Sequence, residues 1–149
     1  MRIDKRALVL VAVVAIAVPV VAGCGEDQTF IDDYNEATEP LQKLSTDIGG
    51  AVNSDGTDPA AVAKQFNSLA ATAEEVNGNL ADLEAPDDAK KDFDALKAGL
   101  KSTEQHLREV AAAAKQGQQV KAAEAAQALI EDSTKITKAE NAVASKVEN

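Results

Sequence analysis

Three kinds of residue in this chain of 149 could carry chemistry: a thiol, an imidazole and a few adjacent carboxylates. The chain has one cysteine, Cys24, and one histidine, His106. Once ionised, a thiol is a nucleophile and a metal ligand. Cys24 follows an apolar run, and no second cysteine exists to pair with it. An imidazole works as a catalytic base when it stands between a nucleophile and an orienting acid. His106 lies in mid-helix next to Leu107, with no glycine-rich turn near it, and reads as a half-exposed surface histidine. Carboxylates are adjacent at Asp32-Asp33, Glu74-Glu75 and Asp87-Asp88. On a helix such neighbours point about 100° apart, so they read as solvated faces or helix starts rather than proton-sharing pairs.

Cofactor patterns are missing. Haem attachment needs Cys-x-x-Cys-His, and the only methionine that could pair with His106 on a haem is Met1. Di-iron bundles need Glu-x-x-His on two helices, whereas Thr103 stands three residues before the single histidine. No phosphate loop appears, and Asn53 to Asp58 lacks the distal glutamate of a calcium loop. The sequence therefore assigns no catalytic residue, no metal ligand and no cofactor, and its expectation is a protein that is not an enzyme.

The chemistry that remains is that of Cys24. Arg2, Lys5 and Arg6 make a positive start, and Ala7 to Val18 is an unbroken run of 12 apolar residues. A spanning helix needs roughly 20 such residues. A charged start, a short apolar core and a small-residue exit describe a secretory signal. Val21-Ala22-Gly23-Cys24 resembles the lipobox of bacterial lipoprotein precursors, in which an aliphatic residue and two small residues precede cysteine. The resemblance implies that diacylglycerol is attached to the Cys24 sulfur and that the chain is cut before it. It implies a cell-membrane protein, lipid-anchored and facing the extracytoplasmic side (periplasm or cell wall), with palmitate-type acyl chains as its only added group. A lone exported cysteine is otherwise unusual, because exported cysteines normally pair. Stable anchoring takes two lipid signals, and a diacylglyceryl group supplies two chains.

On this reading residues 1–23 are a signal peptide, residues 24–28 a short tether and residues 29–149 one domain. The signal holds three of the 15 basic residues and one of the 25 acidic ones, which leaves 12 against 24 and a net charge of −12. Nucleic acid is an improbable partner, because phosphate backbones are bound by Lys and Arg. Anionic headgroups repel such a surface, so the anchor alone would hold the membrane.

The domain shows four apolar stripes in steps of four and three, the spacing of one buried helix face. The first is Phe30, Tyr34, Ala37, Leu41, Leu44, Ile48 and Val52 or Ala51, with Pro40 expected to kink or restart the helix. Asp58-Pro59 opens the second, which is Val62, Phe66, Leu69, Ala73, Val76, Leu80 and Leu83. Ala85-Pro86 breaks it, and Asp87-Asp88 are expected in the first turn of the third. That third stripe is Ala89, Phe93, Leu96, Leu100, Thr103, Leu107, Val110 and Ala114, closed by Lys115-Gln116-Gly117. The fourth, Ala122, Ala126, Leu129, Ser133, Ile136, Glu140, Val143 and Val147, carries polar residues on its seam.

Four stripes joined by short loops predict an all-α, up-down-up-down four-helix bundle with coiled-coil-like packing; the alternative is a three-helix bundle with a loosely packed first helix. With the break at Leu83-Glu84-Ala85-Pro86, the domain also resembles the small alanine-rich four-helix lipoproteins of unknown function found in actinobacteria and related phyla. That resemblance carries no functional residue beyond Cys24. The function expected is a tethered, non-catalytic interaction or scaffold module for an unidentified protein partner, working at the loops farthest from the membrane, Asn53 to Asp58 and Lys115 to Gln119. The alternative is a carrier or sensor holding a small ligand between the helices.

Overall fold

The computed structural model describes residues 26–53 and 58–147. Four helices fill them: α1 (Glu26–Val52), α2 (Pro59–Ala81), α3 (Lys90–Lys115) and α4 (Gln119–Val147). Sequence neighbours pack side by side, α1 on α2, α2 on α3 and α3 on α4, and α1 also touches α4. Short connections between such neighbours make them antiparallel, which is the up-down-up-down four-helix bundle. Phe30 of α1 meets Phe93 of α3, and Lys146 of α4 meets Asp92 of α3. The start of α1, the start of α3 and the end of α4 therefore share one end of the bundle. The α3–α4 turn and the start of α2 form the other.

Local chemistry explains the helix ends. The Asp58 carboxylate accepts a hydrogen bond from the Ala60 backbone N–H at 2.9 Å, and Pro59 takes the first helical position. At the end of α3 the Gln118 N–H donates to the Ala113 carbonyl and the Gly117 N–H to that of Ala114. Gly117 has φ 67°, the left-handed conformation this closure requires. Two expectations shift. Asp87 and Asp88 lie in a turn before α3, where the Ala89 and Lys90 N–H groups both donate to the Pro86 carbonyl. The acid in the first turn is Asp92 instead. α1 begins at Glu26, within the stretch expected as tether, and runs through Pro40 without restarting. Proline removes one backbone bond, and the buried stripe on either side, Ala37 and Leu41, carries the helix across it.

The first three stripes form the core as expected. Phe30, Tyr34, Ala37, Leu41, Leu44, Phe66, Leu69, Ala73, Val76, Leu80, Phe93, Leu96, Leu100, Leu107 and Val110 are all buried. α4 is rotated from expectation. Asp132 and Ala139 are buried where Ser133 and Glu140 had been placed on the seam, and those two are half-buried. Ala125, Asp132 and Ala139 repeat every seven residues beside Leu129, Ile136 and Val143, so the seam takes two alanines that the other register leaves outside.

Gly99 lets α3 and α4 approach closely. A Cβ at this position would lie 2.9 Å from Ile136 Cγ1, whereas one at Gly78 would meet nothing within 4 Å. Gly78→Ala should therefore stabilise the protein by about 1 kcal/mol through helix propensity. Gly99→Ala should lose that gain to overpacking, which costs about 1–3 kcal/mol. Urea denaturation of both variants checks the contrast: a shift to higher midpoint for Gly78→Ala and none, or a lower one, for Gly99→Ala.

Candidate functional site

The described residue most in need of explanation is Asp132, a carboxylate 1% exposed in the α3–α4 seam. Burying an ion costs several kcal/mol unless partners surround it. Asp132 Oδ2 lies 2.8 Å from His106 Nδ1, and Lys135 Nζ donates to Oδ1 at 3.0 Å. The Ser102 hydroxyl also lies on the α3 side of this carboxylate and helps to lower its pKa. Ser102 and His106 are one helical turn apart on α3, so both reach across to one point on α4. Burial alone would raise the Asp132 pKa, but the hydrogen bonds from Ser102, Lys135 and His106 outweigh it and hold it below the usual carboxylate value.

The three residue types of a hydrolytic triad are present in the wrong order. In a triad the imidazole stands between nucleophile and acid. Here the imidazole Nδ1 is taken by Asp132, and among the described hydrogen bonds none joins His106 to Ser102. The arrangement fastens two helices together. The sequence placed His106 correctly at the half-exposed edge of its stripe, with 27% of its side chain accessible, but gave it no partner. The available signal was the alternation of Ala125 and Ala139 around Asp132, which pulls that aspartate into the seam.

A second carboxylate behaves in the opposite way. Glu140 is half-buried on the side of α4 toward α1, and burial raises its pKa. The Tyr34 hydroxyl is raised too, first by its own burial and then by the negative charge of Glu140. Tyr34 stacks on Phe30 at 5.7 Å between centroids, and Phe30 meets the Phe93 ring edge-on at 5.6 Å. Lys97 Nζ sits 4.7 Å over the Phe93 ring. All four aromatics of the stripes are buried, and Phe30, Tyr34 and Phe93 gather between α1 and α3.

The remaining features lie on the surface. Lys146 Nζ donates to Asp92 Oδ2 at 2.6 Å and to the Asp88 carbonyl at 2.8 Å, closing the end where α3 begins. Arg108 joins Glu104 on its own helix and Glu74 on α2. At the opposite end, beside the α3–α4 turn, Val120 is 73% exposed. A broad open depression of about 440 Å³ is lined by Ser133, Thr134, Thr137, Lys138 and Asn141, all on α4. It does not lie between α2 and α4, where a ligand held inside the bundle would sit. Among the described residues no group of three or more His, Cys, Asp or Glu could hold a metal ion. No helix among them is long and apolar enough to cross a membrane. The lipobox residues Val21, Ala22, Gly23 and Cys24 lie outside the described residues. No protein-family model, curated protein or solved structure matches this chain.

The opposed shifts of Asp132 and Glu140 fix the sign of a pH experiment. A carboxylate with a lowered folded pKa stabilises the fold above its unfolded value of 3.8, and the gain is lost as pH falls through the folded value below it. Asp132→Asn should therefore destabilise the protein at pH 7 by about 1–3 kcal/mol, with the difference from the unaltered chain closing below pH of about 4. A raised carboxylate costs stability above its folded pKa, and that cost disappears as pH falls toward 4.5. Glu140→Gln should stabilise at pH 7, with the advantage fading as the medium is acidified. Chemical denaturation at a series of pH values reads both.

Proposed function

We propose that the chain is a lipid-tethered module on the extracytoplasmic face of the cell membrane, which acts by binding another protein and not by catalysis. The observation that carries this reading is Val21-Ala22-Gly23-Cys24 at the exit of a 12-residue apolar run with a basic start. A diacylglyceryl group on Cys24 gives the single thiol a purpose and holds an acidic domain that anionic lipids would otherwise repel.

The bundle geometry supports a scaffold role. The histidine and aspartate at the α3–α4 seam are bonded to each other in joining two helices. α1 starts at Glu26, two residues after Cys24, so the end that holds Phe30, Phe93 and Lys146 would face the membrane. The opposite end would then stand some 40 Å away, the length of a helix of α3's 26 residues at about 1.5 Å each. Gln116 to Gln119 and the exposed Val120 lie there, on a rigid support, which is where binding residues concentrate.

Intact-mass measurement on protein extracted from membranes tests the anchor. The expected mass is that of a chain beginning at Cys24 with acyl chains attached. Cys24→Ser should abolish lipid labelling, block cleavage before residue 24 and leave the helical content unchanged. An unmodified cysteine in the unaltered protein would remove the basis for the tether.

A further inference from the structure

We infer that α1 is a detachable arm, which can leave as a unit while α2, α3 and α4 remain packed, releasing its apolar stripe and uncovering Phe93. This does not rest on the lipid anchor. The first observation is where the centre of the core lies. The large side chains less than 2% exposed are Val76, Leu80, Phe93, Leu96, Leu100, Leu107, Leu129 and Val143, with Asp132, and all of them belong to α2, α3 or α4. The stripe of α1 contributes none of these; its buried members run from 3% exposed at Leu44 to 7% at Phe30, Ala37 and Leu41.

The second observation is how the helices are tied. α2 is joined to α3 by Arg108 and Glu74. α3 is joined to α4 by His106 with Asp132 and by Lys146 with Asp92 and Asp88. The described side-chain hydrogen bonds and ion pairs of α1 stay within α1: Gln28 with Asp32, Thr38 with Tyr34 and Asn35, Lys43 with Asp47, Thr46 with Gln42 and Asn53 with Gly49. α1 lies along α2, while its contact with α4 is slight and the α2–α3 and α3–α4 interfaces are far larger. Among the described side-chain hydrogen bonds and ion pairs none therefore joins α1 to another helix, and apolar packing holds it there.

The third observation is that α1 is a weak helix in its own right. Pro40 removes a backbone bond from its middle, and Gly49 and Gly50 weaken its last turns at positions where a Cβ would meet nothing. Glu140, half-buried on the α1 side of α4, regains water when α1 leaves. Segments with few directional ties and low local propensity open below the global unfolding free energy, as cooperative units.

The chain contains one tyrosine, Tyr34, and no tryptophan, so its ultraviolet fluorescence reports α1 alone. The test uses the full chain in mild detergent, followed by tyrosine fluorescence, far-ultraviolet circular dichroism and native-state hydrogen exchange. The tyrosine signal should change at lower urea than the main loss of helicity. Amides of α1 should exchange through a shared opening at least about tenfold faster than those around Leu100. Leu44→Ala should speed exchange in α1. Gly78→Ala, on α2 at a position where a Cβ meets nothing, should slow exchange in α2 to α4, which open only on global unfolding, and leave that of α1 as it was. Coincident fluorescence and helicity transitions with equal protection across the four helices would overturn the inference. So would Gly78→Ala slowing all four helices together.

Discussion

The buried carboxylate of Asp132 constrains the bundle more than any apolar contact does. A side chain that is 1% exposed and ionised must find its donors within the seam, and His106 on α3 is the one that reaches it from the facing helix. Apolar stripes tolerate a small rotation or slide, because the hydrophobic effect is non-directional. The bond between Asp132 and His106 does not. Once it forms, the rotation of α4 about its axis is set, and Ala125 and Ala139 come to the seam with Asp132. Gly99 then sits opposite Ile136, where the absence of a Cβ permits the close approach. Polar residues that fix register at the expense of raw stability are well known in helical coiled coils.

This constraint bears on the proposed role. A module whose function is to hold a surface at a fixed place needs one arrangement of its helices, not the tightest possible core. Lys146 gives a second fixed point, joining the end of α4 to Asp92 and the Asp88 carbonyl at the start of α3. Its cation also lies in the last turn of α4, where the helix dipole favours positive charge. The α3–α4 pair is thus pinned both mid-seam and at the end that would face the membrane.

The apolar part of this architecture was legible because it depends on spacing alone. Phe66, Leu69, Ala73, Val76 and Leu80 recur at four and three, and no other assignment buries them together. The caps were legible for the same local reason: Asp58-Pro59 and Gly117 act within one turn of chain. The polar part was not legible. Nothing within one helix shows that Ser102 and His106 face the aspartate at position 132, because that pairing depends on the mutual rotation of two helices. With Ser133 and Glu140 assigned to the seam, Asp132 fell one position outside it, and His106 was left without a partner. The Asp87-Asp88 pair misled in the other direction. A residue that suits a first helical turn on charge alone was placed in one, although the Pro86 turn closes before the helix begins. Cys24 belongs to a third kind, since its meaning comes from the residues just before it and owes nothing to the bundle.

The register that Asp132 imposes also decides how α1 sits. Eight residues separate Asp132 from Glu140, which at about 100° per residue turns the second side chain about 80° from the first. With Asp132 held at α3, Glu140 must point to the side of α4 that faces α1. There its charge raises the Tyr34 pKa, and among the described residues no cation pairs with it. The opposite rotation would bring Ser133 and Glu140 into the α3 seam and strand Asp132 outside. The choice that strengthens the α3–α4 contact therefore places an unpaired carboxylate against the first helix. One rotation accounts both for the firmness of three helices and for the slight contact of the fourth.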